Sequence, residues 1–472
     1  MTSDKKERYF MAMLTTERYI STHKHRFLDE LKHFLRIPSI STSKEYAEDM
    51  RKAAAFVKEK ILEAGADQAR LIETVGYPLV YGETVVDKDL PTVLVYGHYD
   101  VQPAEPYELW NTPPFEPVIK EDKIYARGAS DDKGQVYMHI KALETLLATQ
   151  QLPCNVKFLI EGEEESGSQG LTQFLQDKEN HALLQADVVL VSDTTLISLA
   201  QPSLTIGLRG IVYLEVEVTG PNRDLHSGAY GGAVGNPIHL LCQMMASLHD
   251  EHRRITIPGF YDRVEILSQQ ERDVIAQTPF SLSEYQESLG IAAVLGEQGY
   301  STLERIGIRP SLDINGIWGG YTGEGGKTVL PSKAYAKLSM RLVPHQDSAT
   351  IVQQFTDYLS TMAPESVKVN VKVVHAGSNA VVINKDSVVL QAAEKAFEEV
   401  WDQRPLRTRD GGSIPIVSKL QESLGCDSVL MGFGLDSDAV HSPNEHFGLT
   451  NFFKGMETVM AFYQYLTTSH VS

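Results

Sequence analysis

Residues 92–100 read TVLVYGHYD. Thr92 to Tyr96 is an apolar, β-branched run bounded by Pro91 and Gly97, the signature of a short buried strand. His98 and Asp100 follow its carboxyl end, the edge at which open α/β sheets place ligands and chemistry. His-x-Asp is a weak motif alone, and it gains weight from three further runs built the same way. Val156 to Ile160 leads into Glu163, Glu164 and Glu165 of EGEEESGSQG, and Val188 to Val191 leads into Asp193 of VSDTT. SVLMGFG, from Ser428 to Gly434, is followed by AVHSPNEHF and so by His441. Strands that end in His, Glu, Asp and His imply side chains converging on one rim of one sheet. Carboxylate and imidazole donors without cysteine suit zinc, manganese or a related divalent ion.

Working outward, DKIYARGASDDKG follows the Pro- and aromatic-rich loop VQPAEPYELWNTPPFEP, and a helix is expected from Lys133 with Val136, Ile140, Leu143 and Leu147 on one face. Asp131 and Asp132 then stand at its N-terminus, where acids read equally well as caps or as ligands. Upstream, helices are expected over Tyr19–Leu35, stopping at Pro38, and over Glu48–Ala64, stopping at Gly65. From Gly210 the texture changes. IVYLEVEVTG alternates over Val212, Leu214, Val216 and Val218, as a half-buried antiparallel strand does. A helix over Pro237–His249, an irregular stretch to Leu312, the alternating strand AYAKLSMRLV, a helix over Ala349–Thr361 and the strand VKVNVKVV follow. The pattern predicts an α/β fold: a discontinuous catalytic domain, residues 1–209 and 380–472, with a mostly parallel sheet covered by helices. An α+β lid or dimerisation domain is inserted at 210–379.

Composition narrows the function classes. A chain of 472 residues with 42% hydrophobic content is expected to form two or three packed domains. Acids outnumber bases 62 to 43, for a net charge of -19, which disfavours nucleic acid and anionic membranes as partners. Cys154, Cys242 and Cys426 are scattered and form no Cys-x-x-Cys pair, so neither a disulfide framework nor a thiolate metal site is expected. The charged N-terminus carries no apolar run of signal-peptide length, and no stretch approaches the roughly 20 apolar residues of a spanning helix. The expectation is a cytoplasmic protein. GGYTGEGGKT imitates a phosphate loop, but Tyr321 stands where that motif needs its first glycine. Neither a Gly-x-Ser-x-Gly elbow nor a His-Glu-x-x-His helix occurs, and His446, near His441, is the readiest false ligand.

GHYDVQP, ARGASDDKG, EGEEESGS, VSDT and AVHSPNE, in this order, resemble the dinuclear metallopeptidases of clan MH. The branch concerned holds carnosine and cytosolic nonspecific dipeptidases, glutamate carboxypeptidases, aminoacylases and succinyl-diaminopimelate desuccinylases. The resemblance runs from LRIPSIS to His441, inserted domain included, and five ordered motifs are specific where single ones are not. It implies two divalent metal ions per subunit, zinc first and manganese second, bridged by Asp131. His98 and Asp193 would complete one ligand set, and Glu165 and His441 the other. Glu164 would be general base and acid, the register on Ser-Gly-Ser favouring it over Glu163. Asp100 would hydrogen-bond the far nitrogen of His98 and fix its tautomer.

The same resemblance places His226 of DLHSG across a homodimer interface, and Thr328, Arg341 and Ser413 around the substrate carboxylate. Without it, Arg341 reads as a strand-surface arginine and His226 as a loop histidine. Aspartate at 193 resembles the dipeptidase and aminopeptidase types, whereas carboxypeptidases and deacylases more often carry glutamate. The first reading is a metal-dependent dipeptidase acting on small peptides, and an N-acyl amino acid deacylase or carboxypeptidase is the alternative. A noncatalytic scaffold would have lost a ligand or the base, and all six positions are filled.

Overall fold

The computed structural model describes residues 3–470. It divides into two compact units: one of residues up to Ile206, Ile383–Arg407 and residues from Lys419 on, the other of Gly207–Val382 with Thr408–Ser418.

In the first unit the sheet runs in the order Gln68–Ile72, Leu79–Thr84, Asn155–Glu161, Thr92–His98, Val188–Val191, Asp427–Leu430 and Ser203–Leu208. The four central strands, Asn155–Glu161 to Asp427–Leu430, are mutually parallel, and the strands flanking them are antiparallel. Parallel strands buried on both faces must be apolar throughout, which is why VVLV at 188–191 has no polar alternation and is entirely buried. Because the four run the same way, their carboxyl ends share one rim. The helix Lys133–Ala148 packs on the His98 strand and against the helices Ser3–Leu35 and Leu449–His470. Val136, Ile140, Leu143 and Leu146 are at most 2% exposed, each stabilising the unit by about 1.5–3 kcal/mol. At Gly97 an added Cβ would fall 2.5 Å from Val136 and 2.7 Å from Asp132, so only glycine lets strand and helix meet this closely before His98.

The second unit is a four-stranded antiparallel sheet, ordered Ser311–Gly319, Lys333–Leu342, Gly210–Thr219, Lys368–Ser378. Val212, Leu214, Val216 and Val218 alternate into a core with Ala336, Leu338, Met340, Leu241 and Phe355, the last two from the helices Pro237–Ala246 and Ser348–Met362.

Three expectations are corrected. The stretch expected to be irregular up to Leu312 contains the short helices Gln269–Ile275, Leu282–Leu289 and Thr302–Gly307, and is followed by the unforeseen edge strand Ser311–Gly319. The first helix begins at Ser3, well before Tyr19. Residues 408–418, expected with the returning 380–472 segment, group with the second unit. There the main-chain N–H of Arg209 donates to Gly412 O at 3.0 Å and its Nε to Gly411 O at 2.9 Å. No described helix is long and apolar enough to cross a membrane.

Candidate metal centre

His98 is the last residue of its strand, and its Nε2 lies 3.1 Å from Asp131 Oδ1 and 3.9 Å from Asp193 Oδ2. His441 Nε2 lies 2.9 Å from Asp131 Oδ2 and 3.3 Å from Glu165 Oε1. Asp131 thus turns one carboxylate oxygen to each imidazole. The result is two donor groups, His98–Asp131–Asp193 and Asp131–Glu165–His441, with the donor atoms of each group within 4.8 Å of one another. His446, by contrast, accepts from Lys123 Nζ at 2.9 Å and belongs to neither group.

Charge at this rim is unbalanced. Burial, reinforced by the neighbouring Asp131, pushes the Asp193 carboxyl well above the usual range, and burial with Glu165 and Asp131 nearby does the same to Glu164. Hydrogen bonds to Asp131 and Glu165 raise His441 to about 10. Glu165 Oε2 accepts from Gln102 Nε2 at 2.7 Å, while its Oε1 is buried and faces the His441 imidazole at 3.3 Å. A surplus of buried carboxylates facing only two imidazoles is the donor set that a pair of divalent cations satisfies.

The surroundings explain how these groups are held, and correct one expectation. His98 Nδ1 lies 3.0 Å from the main-chain oxygen of Asp100 and 3.3 Å from its carboxylate. That carboxylate also accepts the N–H groups of Glu164 and Glu165, at 3.3 and 3.1 Å. Asp100 therefore orients the imbedded His98 and also anchors the turn that carries the two glutamates. The cap reading of Asp131 and Asp132 does not hold, since the helix at Lys133 has no side-chain cap and Asp132 Oδ2 instead accepts the His98 N–H at 3.3 Å. The Glu164 carboxylate accepts no hydrogen bond from the described residues. Sequence reasoning missed Gln102 and Glu445. Both lie in quoted motifs, GHYDVQP and SPNEHF, and that was their only signal.

The four candidate residues of the second unit fall into two pairs. His226 pairs with Val329, and the Ser227 N–H donates to Thr328 O at 3.1 Å, so His226 and Thr328 are neighbours. Arg341 Nη1 donates to Ser413 Oγ at 2.7 Å, and burial lowers the Arg341 pKa. The first pair adjoins the Gly220–Ser332 end of the sheet, while Arg341 lies at the Ile211 end. Eight residues of strand separate Lys333 from Arg341, about 27 Å at 3.4 Å per residue.

Comparison with known proteins places this architecture. Residues 94–465 match the model of peptidase family M20/M25/M40, and the chain belongs to that family. It is 32% identical over 469 residues to Cys-Gly metallodipeptidase DUG1 of Saccharomyces cerevisiae, covering 95% of this chain and 97% of the relative. It is 32% identical to human Beta-Ala-His dipeptidase, covering 96% and 92%. Among solved structures, the M20 family metallo-carboxypeptidase Sso-CP2 of Sulfolobus solfataricus aligns with a TM-score of 0.84 at 32% identity, covering 94% of this chain and 99% of that one.

Proposed function

We propose that the protein is a metal-dependent dipeptidase that hydrolyses the peptide bond of unblocked dipeptides and short peptides. The observation that carries this reading is the pair of donor groups sharing Asp131, with the unengaged carboxylate of Glu164 beside them. His98, Asp131 and Asp193 would hold one ion, and Asp131, Glu165 and His441 the other, zinc first and manganese second. When bound, such ions supply Lewis acidity and a water that ionises near neutral pH. Glu164 receives the proton of the attacking water and delivers it to the leaving amine, a shuttle typically worth roughly 10²–10⁴-fold. Asp100 keeps Glu164 and Glu165 in register by accepting both their N–H groups. Arg341, steadied by Ser413, is suited to a two-pronged grip on the substrate carboxylate, which fixes peptide length. Three free thiols fit the cytoplasm as its compartment.

The Sulfolobus carboxypeptidase favours one second reading, cleavage of a C-terminal residue from longer or N-acylated substrates. Amine release from an unblocked dipeptide and from its N-acetyl counterpart, with zinc or manganese added, separates the two. Cleavage of the unblocked peptide alone, abolished by chelator, is the expected result; preference for the acylated compound moves the assignment to the second reading.

The working form we infer is a homodimer. About 27 Å of strand separates Lys333, at the His226 end, from Arg341, too far for one small peptide to meet both from the same chain. A second copy would supply His226 and Thr328. The edge strand Ser311–Gly319 exposes Ile314, Ile317 and Trp318 with Asp313 as its single charge, an apolar edge suited to burial against a second copy. Mixing and re-equilibrating His226→Ala with Glu164→Gln protein is expected to restore about a quarter of wild-type activity. Half the dimers are then mixed, and each has one intact site. No recovery would mean that His226 serves its own chain, and a His226→Ala protein that is active by itself would mean that it serves neither.

A further inference from the structure

We infer that the buried ion pair Arg127–Glu445 is the positioning device of one donor group, Asp131–Glu165–His441, and sets the affinity of that group for its ion. This rests on the reading of those three residues as ligands.

Glu445 and Arg127 are each 1% exposed, with Arg127 Nη1 donating to Glu445 Oε2 at 2.7 Å. The same oxygen accepts the Gly128 N–H at 3.0 Å. Oε1 accepts the N–H groups of Ser130 and Asp131, at 3.0 and 3.2 Å. The main-chain oxygen of Glu445 takes a further bond, from the Ala126 N–H at 3.1 Å. Segment 126–131 is therefore wrapped around one residue, and every bond constrains the approach to Asp131. Glu445 itself stands four residues beyond His441, on a loop whose Ala439, His441 and Asn444 all take left-handed backbone. It so fixes the spacing of His441 and Asp131. The third member of the group enters through Arg127, whose Nη2 donates to Pro103 O at 3.1 Å. Pro103 follows Gln102, the residue that engages Glu165 Oε2 and so turns Oε1 toward His441. One guanidinium–carboxylate pair thus connects all three donors.

The other group is held by different means. Asp132 accepts the His98 N–H, Asp100 faces His98 Nδ1, and Ser192, beside Asp193, bonds His139 at 2.8 Å. Asp131, shared by both groups, is its direct link to Glu445, and Asp100 reaches it indirectly through the Glu165 N–H. A buried ion pair is poor as a pure stabiliser, because desolvation cancels much of its attraction. Four directed hydrogen bonds to one carboxylate, all within a ligand-bearing loop, give this pair a geometric task instead. Residues behind metal ligands typically contribute 10–100-fold to metal affinity.

The test titrates metal-free protein with Mn²⁺ by calorimetry, for wild type, Glu445→Gln and Arg127→Lys, alongside circular dichroism and thermal melting of each metal-free protein. The expected result is two ions per wild-type chain. In Glu445→Gln one of them should weaken by roughly 10–100-fold and the other by a few-fold at most. Arg127→Lys, which keeps the charge and loses the fork, should weaken the same ion by less. Two ions bound as tightly as in wild type by a folded Glu445→Gln or Arg127→Lys chain would overturn the inference, as would equal weakening of both ions. Should Glu445→Gln fail to fold, Arg127→Lys decides by itself. Wild-type protein that binds no Mn²⁺ would instead overturn the ligand reading on which the inference stands.

Discussion

Glu164→Gln is expected to lower kcat by roughly 10²–10⁴-fold while leaving two bound metal ions per chain and an unchanged melting temperature. Glutamine keeps the length and shape of glutamate but can neither take a proton from water nor return it to an amine. The Glu164 N–H donates to Asp100 whatever its side chain is, so the turn survives the exchange. Its carboxylate makes no hydrogen bond to the described residues, so no structural partner is lost. Burial already pushes that carboxyl well above the ordinary range, so a neutral amide is no harder to bury than the acid. Pre-steady-state kinetics with a chromogenic dipeptide, and metal analysis of the same sample, check both halves. Wild-type turnover would remove Glu164 as the base and turn attention to Glu163. That acid is otherwise occupied, its Oε2 accepting the Gly170 N–H at 2.9 Å.

How much of this was legible in the sequence depended on where side chains meet. The central strands were readable because burial on both faces demands unbroken apolar runs such as Val188–Val191. The alternating strands of the second unit were readable for the opposite reason, one face in and one out. Ser311–Gly319 was not, because as an edge strand it buries only Leu312, and an irregularity between Ile314 and Gly316 breaks its alternation. Composition and spacing pointed to a metal rim, but the partition of ligands came from motif resemblance alone. His441 stands ten residues beyond Met431 on a left-handed loop, where no periodicity reaches. The contact of Asp100 with the glutamate turn, and of Glu445 with the Asp131 loop, bridges sequence separations of 64 and more than 300 residues. Such bonds leave no local trace, since an acid that accepts four N–H groups has the same letter as one on the surface.

Asp131→Asn is expected to abolish measurable turnover and to strip both ions from the chain, whereas Asp193→Asn should remove one. The difference follows from the geometry. Asp131 faces His98 with Oδ1 and His441 with Oδ2, and it is the one residue common to both donor groups. An amide places a nitrogen donor toward one imidazole and removes the charge between two cations that otherwise repel each other. Asp193 shares a group with His98 and Asp131 and is absent from the group of His441. Thermal melting with and without Mn²⁺ gives a reading that does not depend on activity. An ion present at a hundred times its Kd stabilises the folded chain by about 2.7 kcal/mol per site. Wild type should show that shift twice over, Asp193→Asn about once, and Asp131→Asn not at all. Equal loss of metal in the two variants would mean that the groups are not separable through Asp131, and the shared-carboxylate reading would fall with it. The graded result would make Asp131 the bridge that couples the ions, with Glu445 behind it setting where that bridge stands.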